Sequence, residues 1–132
     1  DLPLNRESLL AVPAVIWPHI LSTLGAVIAV APLEKNVFNQ AKSQCKFLEY
    51  SINKIPAIYS GWFYKKIKNG KDGFFAFSNK DWIEKISLLI ENEKLRKEIG
   101  GNAYQEALNN QNINNYLIKW QKFIEKIYGK FI

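Results

Sequence analysis

The apolar residues of this chain fall in short blocks whose period changes along its length. Ala11 to Ile16 is short, apolar and partly β-branched, Trp17 to Leu24 carries apolar residues at helical spacing, and Ala26 to Val30 is a second apolar run. This pattern predicts strand, short helix, strand. After Pro32 a polar loop, LEKNVFNQ, leads into AKSQCKFLEYSINK, where Cys45, Leu48 and Ile52 share one helical stripe and Asn39 stands in the N-cap position. IPAIYS, residues 55–60, resumes as a strand. Trp62 to Ile67 fits a short helix, Asn69-Gly70 and Gly73 punctuate, and FFAF reads as another strand. Strands alternating with helices need crossover connections, which gives an α/β fold: a parallel sheet with helices on both faces, half of a doubly wound arrangement.

The pattern then becomes purely helical. Ser78 and Asp81 have capping-box spacing, and Trp82, Ile83, Ile86, Leu89 and Ile90 form one apolar face, so a helix is predicted over about 79–91. Leu95, Ile99, Ala103 and Ala107 continue at four-residue spacing. Ile113, Leu117, Trp120, Ile124, Ile127 and Phe131 then alternate by threes and fours. The chain is therefore expected to end in consecutive helices.

Composition narrows the class. A chain of 132 residues fits one domain, and 48% hydrophobic with 14% aromatic residues excludes a disordered segment. Residues 1–132 are read as one domain, a piece of a longer product, because the chain opens at Asp1 and contains no methionine. Cys45 is alone, so there is no internal disulfide. With only His19 beside it no metal site is expected, and a reducing cytoplasm fits. The apolar stretch from Leu9 to Leu33 is broken by Pro13, Pro18, His19 and Pro32, which argues against a membrane span or a signal peptide. The net charge of +6 favours an anionic partner.

The stretch from Ala31 to Ser60 carries the candidate chemistry, since ligands of open parallel sheets bind beyond the C-terminal ends of the strands. Lys42, Lys46 and Glu49 are spaced by four and three, so a continuous helix would place them on one side, with Lys42 near its positive end. Exposed amides at residues 40–43 would favour a diphosphate and Lys42 would add a charge. The Glu49 carboxylate could accept two hydrogen bonds from vicinal ribose hydroxyls. Each residue also has a plainer reading: Glu49 as an ion-pair partner of Lys46, Lys46 as a solvated cation, Ser43 and Asn39 as helix-start and capping residues.

The order Pro32-Leu33, Phe38-Asn39, Lys42-Ser43, Lys46, Leu48-Glu49-Tyr50 and Ile55-Pro56 resembles the C-terminal donor-binding domain of group 1 glycosyltransferases, the retaining enzymes of two Rossmann-like halves known as GT-B. IKNGKDGFFAF is similar to that family's glycine turns before its last strand, and LIENEKLRKEIGGNAYQEAL to its helix pair. The likeness runs over about residues 24–128. The resemblance implies a Rossmann-like sheet and transfer of a sugar, with retention, from a nucleoside-diphosphate sugar acting as co-substrate. No further cofactor is implied. Donor binding would fall to Glu49, Lys42, Ser43, Lys46 and Asn39, with catalytic residues unassigned. The remaining partner would be an N-terminal acceptor domain of the same protein, in polysaccharide or glycoconjugate synthesis. Many members carry two glutamates in this segment; Glu49 matches the second, and Ala41 stands at the first, which leaves the sugar open.

A rival reading is a non-catalytic, basic, Rossmann-like module that docks to a membrane surface or to nucleic acid. Lys65, Lys66, Lys68 and Lys71 interleave with Trp62, Phe63 and Tyr64 as nucleic-acid patches do, but a solvated face is the preferred reading, and nucleic acid is not expected. The last segment combines its apolar stripe with Lys119, Lys122, Lys126 and Lys130. It suits packing on the absent domain, or peripheral contact with the inner face of a membrane.

Overall fold

The computed structural model describes residues 12, 13 and 15–129. In chain order the elements are α1 (Trp17–Thr23), β1 (Ala29–Ala31), α2 (Val37–Gln40), α3 (Cys45–Ile52), β2 (Ala57–Ser60), β3 (Phe74–Ala76), α4 (Asn79–Glu91), α5 (Glu93–Asn110) and α6 (Ile113–Tyr128). The three strands form one parallel sheet in the order β1-β2-β3, with Ala29 opposite Ala57 and Ile58 opposite Phe74. This is the α/β, Rossmann-like partial domain that the alternation predicts, and it ends in a long helix.

Both faces of β2 are covered, which is why all four of its residues are buried. Ala57 and Tyr59 point to one face, where Ala29, Ala31, Phe47 and Ala103 join the same core cluster. Tyr59 packs there with its ring centroid 4.5 Å from that of Tyr64 and 6.3 Å from that of Phe47. Ile58 points to the other face and meets Phe74, Leu89 and Ile99. The α4 helix begins where the sequence places it: Ser78 accepts the Asp81 N–H at 3.2 Å, and Asp81 accepts the Ser78 N–H at 3.0 Å. The α5 helix crosses close to the turn before β2. A Cβ on Gly100 would collide with the Lys54 carbonyl, and Lys54 itself is left-handed at φ 54°.

Three expectations change. Within the strand expected over Ala11–Ile16, Ala11 and Ala14 lie outside the described residues. Val15 and Ile16 form the turn that opens α1, with the Ile16 N–H donating to the Pro13 carbonyl at 3.1 Å. The helix expected over Trp62–Ile67 is a run of turns. Its apolar spacing has another cause: Tyr64 and Ile67 reach the core from an irregular backbone, and the buried Asp72 side chain accepts the Lys68 N–H at 2.6 Å and ties the following turn together. The stripe expected through Cys45 is displaced, because Phe47 and Ser51 are the fully buried residues of α3 while Cys45 is exposed.

Candidate functional site

The loops after β1 and β2 are tied together at the C-terminal ends of the strands, where the Leu33 N–H donates to Ser60 Oγ at 2.7 Å. From there the chain turns into α2. Asn36 is its cap and accepts the Asn39 N–H at 2.8 Å. Asn39, expected to cap one long helix and to touch a donor, is buried inside this short turn of helix instead, and its Nδ2 donates to the Glu34 carbonyl at 2.8 Å.

The single helix expected from residue 40 onward is broken. The N–H groups of Gln40, Ala41 and Lys42 donate to the carbonyls of Asn36, Phe38 and Asn39, so they close α2 rather than face a ligand. The α3 helix starts only at Cys45, after Gln44. Asn36 takes the cap, Asn39 turns its amide back to the Glu34 carbonyl, and the helix that Asn36 starts ends within one turn. Lys42 therefore lies outside α3, with its ammonium 5.1 Å from the Phe38 ring centroid. Ser43 is also in the break, its hydroxyl 3.1 Å from Cys45 Sγ.

Lys46 and Glu49 remain together on α3. Glu49 Oε2 accepts Lys46 Nζ at 2.7 Å and the indole N–H of Trp17 at 2.9 Å. The Lys46 ammonium sits 5.5 Å from the centroid of the same indole. Both bonds fall on one oxygen, and among the described residues Oε1 is left to accept from a ligand. A carboxylate held in this way is a preorganised acceptor for paired hydroxyls. Trp17 comes from α1, 32 residues earlier in the chain, and no local signal in the sequence connects it to Glu49.

Tyrosines back this group. Burial, reinforced by Tyr50 and then Glu49, pushes the Tyr64 hydroxyl up to about 12. Burial also raises Tyr50, with Lys46 opposing and Glu49 adding to the effect. Both stay protonated at neutral pH, and the Tyr50 hydroxyl donates to the Val30 carbonyl at 3.5 Å.

A second group gathers after β2 and β3. The Lys35 ammonium lies 3.9 Å from the centroid of Trp62, and Trp62 meets Phe77 edge to face at 5.1 Å. A Cβ on Gly61 would enter the Phe77 ring, so the half-exposed ring would have to turn aside. The basic run nearby is partly consumed by structure: Lys68 pairs with Glu106 at 3.1 Å. Burial works against the charge on Glu106, but hydrogen bonds from Lys68 and Asn110 leave its pKa lowered. Among the described residues no group of three His, Cys, Asp or Glu side chains could hold a metal ion, and no helix is long and apolar enough to cross a membrane.

No protein-family model matches this chain, and no solved structure matches it. It is similar to a glycosyltransferase, the N,N'-diacetylbacillosaminyl-diphospho-undecaprenol alpha-1,3-N-acetylgalactosaminyltransferase of Campylobacter jejuni, with 42% identity over 66 residues. The match covers 46% of this chain and 18% of that protein. This partial similarity supports a glycosyltransferase and a general role in glycosyl transfer.

Proposed function

We propose that this chain is part of the donor-binding half of a group 1, GT-B type glycosyltransferase. It would take a nucleoside-diphosphate sugar and support transfer of the sugar with retention, in the synthesis of a polysaccharide or glycoconjugate. The observation that carries the proposal is the 42% identity with a bacterial glycosyltransferase. The fixed carboxylate of Glu49 and the parallel sheet support it.

In this reading Glu49 Oε1 accepts from the ribose diol, while Trp17 and Lys46 hold the other oxygen. Lys42, in the α2–α3 break, and Lys46, in the first turn of α3, are cations that offset the charge that develops on the departing diphosphate, usually the largest protein contribution to such a step. Ser43, in the break, supplies a hydroxyl to the phosphates. Asn39 acts on the donor only through the loop that it holds. An N-terminal acceptor domain completes the enzyme, and the acceptor is of the lipid-linked class that the relative's name describes.

Calorimetric titration with UDP, GDP and their sugars at two salt concentrations tests this, because salt suppresses bulk attraction more than a specific site. Saturable binding that prefers one base is expected. Equal, salt-labile binding of every nucleotide would overturn the proposal.

A further inference from the structure

Every residue of α6 is exposed. On a helix of 3.6 residues per turn, Tyr116, Leu117, Trp120, Phe123, Ile124 and Ile127 share one arc of roughly 120°. Trp120 is 60% exposed, Leu117 57% and Phe123 54%, so this is a continuous apolar face open to solvent. The described ties from α6 to the body are polar and few: Lys66 Nζ to Tyr116 Oη at 3.4 Å, and Asn115 Nδ2 to the Asn109 carbonyl at 2.6 Å.

The charges around that face are predominantly basic. Lys119, Lys122 and Lys126 lie on the far side and flank of the helix, against the single acid Glu125. Among the described residues none of the three forms an ion pair. Lys119 lies 5.5 Å from the Tyr116 ring centroid, and Lys66 brings another cation to the same edge. We propose that α6 lies flat in the surface of an anionic lipid bilayer, its Trp120 face among the acyl chains and its lysines at the headgroup phosphates.

Charge favours this occupant over a second copy of the chain. A second copy seated on the same face would bring two lysine-edged helices together, each on a chain of net charge +6. An anionic surface instead matches the lysine flank while the aromatic residues enter the interface, where Trp and Tyr are favoured. A helix of 16 residues is about 24 Å long, too short and too charged to cross.

Sedimentation of the full chain with vesicles tests the proposal independently of nucleotide binding. The vesicles are phosphatidylcholine alone, or phosphatidylcholine and phosphatidylglycerol in equal parts. Binding to the anionic vesicles and not to the neutral ones is expected, falling as salt rises. At about fivefold per lysine, the triple variant Lys119→Gln, Lys122→Gln, Lys126→Gln should bind about 100-fold more weakly. Trp120→Glu should release the chain while leaving its unfolding temperature and its nucleotide titration unchanged, since α6 has no buried residue. The proposal is overturned if the wild-type chain stays in the supernatant, if both vesicle types bind alike, or if neither variant differs from wild type. It is also overturned if light scattering shows a dimer that Trp120→Glu dissolves, because the face then belongs to a second copy.

Discussion

Removing the Glu49 carboxylate should weaken nucleotide binding by about two orders of magnitude while the fold survives. A hydrogen bond to a charged group contributes about 1.5–3 kcal/mol, and a ribose diol offers two. Glu49 is already neutralised in part by Lys46 at 2.7 Å and by the Trp17 indole at 2.9 Å, so the lower value applies to each bond. The expected loss is about 3 kcal/mol, or about 150-fold in Kd. The perturbation is Glu49→Ala, read by calorimetric titration with the nucleotide that the wild-type chain prefers. Far-ultraviolet circular dichroism of the same sample checks the fold, which should persist because the Glu49 side chain is partly exposed and absent from the core clusters. Trp17→Phe separates positioning from contact: it keeps the carboxylate and removes one of its two holders, and it should cost about tenfold or less. A Kd within twofold of wild type in Glu49→Ala would refute the assignment of the ribose site to this residue.

Three further outcomes follow from the packing and the charges. Gly100→Ala forces a Cβ into the Lys54 carbonyl and should destabilise the fold by about 1–3 kcal/mol in urea melts, whereas Gly101→Ala, with open space around it, should stabilise it by about 0.5–1 kcal/mol; equal effects at the two positions would contradict the close approach of α5. Ser78→Ala removes the α4 cap and should cost about 1 kcal/mol, seen as a lower unfolding midpoint. Burial raises the pKa of Asp72 above its unfolded value, so its contribution is fully present below that unfolded value and is lost as pH rises through the folded one. Asp72→Asn keeps a carbonyl oxygen for the Lys68 N–H and should remove that decline; parallel stability curves for wild type and variant between about pH 4 and 7 would rule the account out.

How much of this was legible in the sequence depends on whether the deciding interaction was local. The α4 helix was readable because Ser78 and Asp81 close a cap within one turn; of its expected apolar face Leu89 is fully buried and Trp82 and Ile86 pack beside it, whereas Ile83 and Ile90 are exposed. The parallel sheet was readable from the alternation of blocks. The helix start near Asn39 was not, because Asn36 and Asn39 both suit a cap and only the folded loop, through the Asn39 bond to the Glu34 carbonyl, decides between them. The 62–67 segment misled for a related reason: aromatic residues at helical spacing also describe a turn that drops Tyr64 against Tyr59. At the candidate site, the spacing of Lys46 and Glu49 was enough to pair them. The partner that fixes the carboxylate, Trp17, is set by tertiary packing of α1 and leaves no trace in the neighbourhood of Glu49.

That indole bond makes α1 a remote control on the carboxylate. A change anywhere in residues 17–23 that tilts the helix would reorient Glu49 without touching any group that meets a ligand. In a mutational scan scored by nucleotide affinity, α1 would register as part of the site, and drift there offers a route to retune donor affinity while the ligand-facing residues stay the same.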